Sequence, residues 1–166
     1  HKQGAQLISQ VANHDAQLQN DQIRNMVMQE VDVIIIIAED AAAAATAVES
    51  AAKEGIPCIA YDRLIKSDKL AAYISFDNVE VGRTQARTIL KKTGKGNYVM
   101  LGGSPTDNNA VLLRKGQMEI IQPLVDKGDI KIVADRWVEN WSPANATKIM
   151  ENILSSTQSE IDAVIA

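Results

Sequence analysis

The sequence has too few metal-binding and nucleophilic residues to build an ordinary zinc site or catalytic triad. Its 166 residues include one cysteine, Cys58, and two histidines, His1 and His14. Zinc sites draw most of their ligands from these two residue types, so no zinc-type set can be assembled. No serine or cysteine nucleophile has a histidine available to activate it. We therefore expect a protein that is not an enzyme and carries no metal or other cofactor, with Cys58 as a small buried core residue.

Features typical of nucleotide, nucleic-acid and membrane proteins are also missing. The phosphate-binding patterns GxxxxGK[ST] and GxGxxG do not occur. A net charge of -4 argues against a nucleic-acid partner, which would favour a basic face. The longest apolar stretch, VIIIIA at 33–38, is far shorter than the ~20 residues needed to cross a bilayer. We expect no nucleic-acid partner and no membrane span.

What the sequence does contain is an alternation of strand and helix patterns. A strand is predicted at 5–12 and a helix from about Gln17. The β-branched run VDVIIIIA at 31–38 is typical of a strand buried on both faces of a parallel sheet. An alanine-rich helix pattern follows, with Gly55 just past its C-terminus, and the strand IPCIAY comes next.

The regular winding breaks once, and this break predicts two lobes. Only about ten polar residues separate IPCIAY from the strand AYISF at 72–76, whereas a parallel crossover usually takes a dozen or more. Winding resumes at a capping box formed by Asp77 and Glu80. The later elements are a strand at 96–101, a helix from about 107 to 125, a strand at 130–135, a helix from 143 to about 154 and a strand at 161–166. We predict an α/β chain with an N-terminal lobe at 1–76 and a C-terminal lobe at 77–166.

The pattern is incomplete at both ends. The opening residues HKQGAQL are typical of the last turn of a helix leading into a strand, and the final residues end inside a strand. A sheet that lacks strands exposes unpaired edges. The expectation is a central piece of a larger protein, whose N-terminal lobe lacks its first strand.

Polar and aromatic residues cluster where the predicted strands end. In open α/β sheets ligands bind beyond the carboxyl ends of the strands. These ends carry AED at 38–40, YDR at 61–63, GGSPTDNN at 102–109 and DRWVENW at 135–141. Such residues suit hydrogen bonding and ring stacking better than catalysis.

Five polar side chains at these ends are candidate ligand contacts. The Arg63 guanidinium can hold two vicinal oxygens with Asp62 to orient it, although it can also be a solvated loop arginine. Asn108 and Asn109 each offer a donor and an acceptor, which suits a neutral polyol. Asp107 can bind a hydroxyl or cap the following helix.

The aromatic and acidic residues at the other strand ends divide into ligand candidates and structural residues. Trp141 lies in a polar loop before a helix, where a flat indole can stack on the apolar face of a sugar ring. Trp137 is expected to pack. Glu39, Asp40 and the motif FDN at 76–78 are expected to be caps and hinge residues rather than ligands.

Taken together, these motifs resemble the D-xylose-binding group of the type I periplasmic binding protein superfamily, the sugar-capturing subunits of ABC importers. The resemblance covers essentially the whole chain. It rests on VDVIIII, GIPCIAYDRLI, YISFDNVEVG, YVMLGGSPTDNNA, RKGQM and DRWVENWSPANATKIMEN, in this order. AYDR, GGSPTDNNA and the two-tryptophan loop separate this group from ribose and galactose relatives.

The resemblance implies a two-lobed fold with parallel sheets flanked by helices, incomplete here at both ends. It implies that Arg63 and Asn109 contact sugar hydroxyls and that Trp141 stacks on the pyranose ring. Asp107 would lie in or beside the pocket, and Asp62 behind Arg63. The family's first strand, which brings a lysine and an arginine to the sugar, has no counterpart, so tight binding by these residues alone is not expected.

The function that follows is capture of D-xylose between two lobes for the membrane subunits of an ABC importer. The protein would be extracytoplasmic, in the periplasm or on the cell surface as a lipoprotein. One alternative is a xylose sensor that signals to a membrane histidine kinase. Another is the effector domain of a sugar-responsive repressor, which would need an N-terminal DNA-binding segment that is not visible here.

Overall fold

The computed structural model describes residues 4–157 and 160–166, and the chain divides into two compact units. The units are His1–Ile74 and Ser75–Ala166. In the described residues each unit contains a three-stranded parallel sheet with helices packed against it.

The first unit follows a β/α pattern that begins with a capped helix. Its elements in chain order are α1 (Ala16–Met28), β1 (Ile34–Ile36), α2 (Ala43–Lys53), β2 (Cys58–Tyr61) and β3 (Ala72–Ile74). Helix α1 begins at Asp15, whose carboxylate accepts hydrogen bonds from the backbone N–H groups of Gln17 and Leu18. The strand order is β1-β2-β3.

The core of this unit lies between the sheet and its two helices. Small side chains on one face of α2 are buried, which lets the helix lie close to the strands: Ala44, Ala47, Val48 and Ala51. Cys58 belongs to the same core and is 1% exposed. Burial raises the pKa of its thiol, and the prediction of a buried core cysteine is confirmed.

Two predictions for the first unit are wrong. Residues 5–12 form no strand, because within the described chain no neighbouring strand exchanges backbone hydrogen bonds with them. The expected helix end at HKQGAQL falls partly on residues 1–3, which lie outside the described residues, and residues 4–7 are not helical. Strand β1 is buried on one face only, since α1 and α2 cover Ile34 and Ile36 while Ile35 is 65% exposed.

The predicted break in the β/α alternation lies between β2 and β3, and these two strands still pair in parallel. No helix lies between β2 and β3, as the ten-residue spacing predicted, yet these strands are parallel neighbours. The connection compensates for the missing helix by burying Ile65 in the core. It is tied down by hydrogen bonds from the Lys66 N–H to the Ala41 carbonyl and from the Ala71 N–H to the Cys58 carbonyl.

The second unit is built around strand β4. Its elements are α3 (Asn78–Thr93), β4 (Gly96–Gly102), α4 (Asn108–Asp126), β5 (Ile130–Trp137), a short 3-10 helix (Glu139–Trp141), α5 (Pro143–Ser156) and β6 (Ala163–Ile165). The strand order is β5-β4-β6. The predicted starts of α3 and α5 are confirmed, since Asp77 accepts from the Glu80 N–H and Ser142 accepts from the Asn145 N–H. The reciprocal half of the predicted capping box does not form, because the Glu80 carboxylate accepts from Arg83 and Arg87 instead.

Strand β4 is buried on both faces because different helices cover each face. Tyr98 and Met100 face the layer that includes residues of α3 and α4. Val99 and Leu101 face the layer that includes residues of α5. The buried strand therefore delivers its carboxyl end, Gly102, to a fixed position at the edge of the sheet.

Helices α3 and α4 touch through their backbones. A Cβ atom at Gly82 would collide with the carbonyl of Leu113, and one at Gly116 would collide with the carbonyl of Val79. Only glycine leaves room for so close a crossing. This contact fixes the two helices that begin beside the end of β4.

Candidate ligand-binding site

The turn after β4 is organised by Asp107. One carboxylate oxygen accepts a hydrogen bond of 2.9 Å from the Asn109 N–H, which makes Asp107 the N-cap of α4. The other oxygen accepts a hydrogen bond of 3.0 Å from the indole Nε1–H of Trp141. Asp107 is only 3% exposed. Of the two roles left open by the sequence, the structure shows the cap, and it adds the orientation of Trp141.

Asn109 is held in place by an asparagine from a different helix. Its amide oxygen accepts a hydrogen bond of 3.1 Å from Nδ2 of Asn78, the first residue of α3. Asn78 also donates to the hydroxyl of Ser75 at 3.3 Å, and both asparagines are buried. The sequence predicts a cap or hinge role for Asn78 and gives no sign of this contact with Asn109. Asn108, beside Asn109 at the start of α4, is partly buried.

The two glycines at the end of β4 each face a tryptophan ring. A Cβ atom at Gly102 would collide with the indole of Trp137, and one at Gly103 with the indole of Trp141. Trp137 is 37% exposed and Trp141 is 40% exposed, so part of each ring remains open to solvent. The double glycine is therefore needed to make room for the two rings, since neither Gly102 nor Gly103 has a positive φ.

A buried arginine supports the first of these rings. The guanidinium carbon of Arg114 lies 5.2 Å from the centroid of the Trp137 ring, within the range of a cation–π interaction. Arg114 also forms an ion pair with Asp135 and is buried. Packing of Trp137 was predicted, but its partner in the motif RKGQM was missed, because 23 positions separate the two residues.

In the first unit, Arg63 follows the carboxyl end of β2. Asp62 precedes it with a φ of +63°, and its N–H donates to the Ile74 carbonyl at 2.8 Å. The guanidinium Nη1–H of Arg63 donates to the Ala38 carbonyl at 3.2 Å and lies 3.7 Å from the carboxylate of Glu39. Arg63 is thus anchored to the loop after β1 and is not a freely solvated arginine.

The acidic pair after β1 divides into two roles. The carboxylate of Asp40 accepts hydrogen bonds of 2.8 Å from the N–H groups of Ala42 and Ala43, which supports the predicted cap. Glu39 does not cap this helix, since both of its oxygens face other groups: one accepts the His14 N–H at 3.3 Å and the other lies near Arg63. Of the cap and hinge roles expected for this pair, the structure shows cap-type contacts at Asp40 and none at Glu39.

Among the described residues, a cleft is found in each of the two units. In the first unit a cleft of about 450 Å³ runs between 7–12 and 34–37, with His14, Glu39 and Arg63 in its lining. In the second unit a cleft of about 730 Å³ lies between α3 and β6 and includes none of the candidate residues. In the part of the chain that the structure describes, no three His, Cys, Asp or Glu residues are grouped to hold a metal ion.

Comparison with known proteins places this geometry in a family. A model of the periplasmic binding protein domain matches residues 2–166. In sequence, the chain is 47% identical to the D-xylose-binding periplasmic protein of Escherichia coli (strain K12) over 163 residues, which are 98% of this chain and 49% of that protein. The chain belongs to the periplasmic binding protein family.

Solved periplasmic binding proteins share the fold. A solute-binding protein of an ABC transporter from Clostridium phytofermentans, with bound β-D-glucose, aligns with a TM-score of 0.90 at 32% identity over 99% of this chain and 56% of its own. The fructose-binding periplasmic domain of a hybrid two-component system aligns with a TM-score of 0.90 at 34% identity. The alignment covers 98% of this chain and 53% of that domain's chain. The chain thus has the type I periplasmic-binding-protein fold and spans about half the length of the curated D-xylose-binding relative.

The chain belongs to a family of binding proteins, which agrees with the expectation of a protein that is not an enzyme. The curated relative is named as a periplasmic protein. Of the helices that the structure describes, none combines the length and apolar character needed to span a membrane.

The double hydrogen bond of Asp107 can be tested by an isosteric change. Replacing Asp107 with asparagine puts an NH₂ donor against one of two N–H donors, so we expect a loss of about 1–2 kcal/mol in the free energy of unfolding. The matched control is Asp77→Asn, because Asp77 caps α3 through the Glu80 N–H and asparagine caps nearly as well. Urea denaturation of the full-length protein measures both variants. Equal tolerance of the two changes would contradict the role given to Asp107.

Proposed function

We propose that the full-length protein is an extracytoplasmic solute-binding protein that captures D-xylose for the membrane subunits of an ABC importer. The observation that carries this proposal is the 47% identity to a D-xylose-binding periplasmic protein, together with the position of the candidate residues at the carboxyl ends of parallel strands. Ligands of open α/β sheets bind at these ends. The sugar would be a neutral, hydroxyl-rich ring.

Each candidate residue has a chemical role in this proposal. Arg63 would hold two vicinal hydroxyls through its guanidinium, with Asp62 behind it. Trp141, oriented by Asp107 through its indole N–H, would present its ring face to the C–H face of the pyranose. Asn109, whose amide is oriented by Asn78, would exchange a hydrogen bond with a hydroxyl. Asn108 would lie at the margin of the site.

Residues of both predicted lobes, 1–76 and 77–166, would contribute contacts. Arg63 and Asp62 belong to the first unit, whereas Asp107, Asn109 and Trp141 belong to the second. The proposed sugar contacts therefore draw on residues of both units.

The proposal is tested by calorimetric titration of D-xylose into the full-length protein, with D-ribose, L-arabinose and D-glucose as comparison ligands. We expect saturable one-to-one binding of xylose, with the other three sugars at least 10-fold weaker, which corresponds to about 1.4 kcal/mol. Absence of heat with all four sugars would overturn the proposal. Tighter binding of one of the other three would keep the sugar-binding role and replace the ligand.

A sensor role is the second candidate, because one structural neighbour is the periplasmic domain of a hybrid two-component system. Uptake of radiolabelled xylose by a deletion strain separates the two roles. Loss of uptake supports the importer, whereas normal uptake with loss of xylose-dependent transcription supports the sensor.

A further inference from the structure

Glu39 is the centre of a polar cluster in the first unit. The proposed contact of Arg63 with the sugar does not by itself account for this cluster. One carboxylate oxygen lies 3.7 Å from Nη1 of Arg63 and 3.5 Å from Nδ1 of His14. The other oxygen accepts the backbone N–H of His14 at 3.3 Å. The Glu39 carboxylate therefore lies between a permanent cation and a histidine that contacts it twice.

The backbone of Glu39 is itself held by helix α1. Its N–H donates to the side-chain oxygen of Gln19 at 2.9 Å, and Nε2 of Gln19 donates to the Ile37 carbonyl at 2.8 Å. The Gln19 side chain thus bridges the backbone on both sides of Ala38, the residue whose carbonyl accepts from Arg63. Contacts within the protein therefore fix the loop that receives the Arg63 guanidinium.

His14 reaches this carboxylate through an unusual backbone conformation. Its φ is +65°, and that of Asn13 is +51°, both in the left-handed region that non-glycine residues rarely adopt. This conformation directs both the N–H and the imidazole of His14 towards Glu39. Strained backbone of this kind persists where surrounding contacts require it.

Fixing an arginine in advance has a direct consequence for binding. Ordering a mobile arginine side chain on binding costs rotamer entropy. When protein groups already hold the guanidinium in place, the binding free energy does not have to offset this loss of entropy. Glu39 and the Ala38 carbonyl together hold one edge of the Arg63 fork.

We infer that Glu39 is a positioning residue, which fixes the Arg63 guanidinium for the sugar and is itself fixed by His14 and Gln19. This inference rests on the proposed function in so far as Arg63 is taken to contact the sugar. Glu39 acts through Arg63 and does not touch the ligand in this assignment.

The test is a double-mutant cycle in the full-length protein. Glu39→Gln is expected to weaken D-xylose binding about 3–5-fold, the range of one partly exposed ion pair, with an unchanged melting temperature. In an Arg63→Met background the same change is expected to have no further effect, since its only route to the sugar has been removed. The matched control is Glu49→Gln, because Glu49 is exposed on α2.

A ligand-free measurement makes the inference independent of the sugar. The order parameter of the Arg63 Nε–H bond, assigned by its loss in Arg63→Lys, is expected to be high in the wild type and lower in Glu39→Gln. Glu49→Gln should leave it unchanged. If the wild type binds no xylose, the proposed function fails and this measurement alone decides the inference.

Two outcomes would overturn the positioning role. One is an Arg63 order parameter that Glu39→Gln leaves unchanged. The other is an equal loss of xylose affinity with Arg63 present and absent, which would mean that Glu39 acts on the fold or on the sugar directly.

Discussion

Replacing Gly116 with alanine is expected to destabilise the second unit by about 1–3 kcal/mol, the usual cost of forcing a methyl group into a packed site. The added Cβ would meet the Val79 carbonyl, a backbone atom that no side-chain rotation can move away. Helix propensity alone predicts the opposite sign, a gain of about 0.5–1 kcal/mol when glycine becomes alanine inside a helix. The sign of the change therefore decides which effect dominates.

Denaturant unfolding of the full-length protein measures the effect of Gly116→Ala, and Lys115→Ala is the control. Lys115 is the exposed neighbour on the same helix, and its replacement should stay within about 0.5 kcal/mol of the wild type. Gly82→Ala should reproduce the loss from the other side of the crossing, where the Leu113 carbonyl blocks the new Cβ. Stabilisation by either glycine replacement would refute the close backbone contact of α3 with α4.

Replacing Arg63 with methionine is expected to weaken binding of D-xylose about 100-fold, which corresponds to about 2.7 kcal/mol. Hydrogen bonds to a charged group each contribute about 1.5–3 kcal/mol, and methionine preserves much of the apolar stem while removing the guanidinium. The melting temperature should change little, because the Arg63 contacts seen here lie at the edge of the sheet and not in its core. Calorimetric titration gives both the affinity and the stoichiometry.

The control for this variant is Arg24→Met, in the same unit. Arg24 is exposed on α1 and pairs with Asp21, so its removal takes away one positive charge without touching a strand end. Xylose affinity should be unchanged. If both arginine variants weakened binding equally, the effect would be one of net charge, and Arg63 would lose its assigned role.

Features set by neighbouring residues were predictable from the sequence. Asp77, Asp107 and Ser142 begin helices as predicted, because a cap depends on the two or three residues that follow it. The placement of the candidate residues at strand ends follows from the same local alternation of strands and helices. Cys58 was placed in the core by its apolar neighbours.

Features set by distant residues were not predictable. Asp107 meets Trp141 across 34 positions, and Asn78 meets Asn109 across 31. Neither pair produces a periodic pattern in the sequence, since a single side chain can form a hydrogen bond with a residue on any neighbouring element. The same limit explains the errors at 5–12 and in β1, because pairing and two-sided burial both depend on elements elsewhere in the fold.

The pairing of two glycines with two indoles has a spectroscopic consequence. The chain has two tryptophans, and both lie within five consecutive residues, with their rings against Gly102 and Gly103. Indole emission from these 166 residues therefore originates at the end of β4. A shift of its wavelength would report the polarity around that one loop, and quenching by iodide would report how much of the two rings remains open.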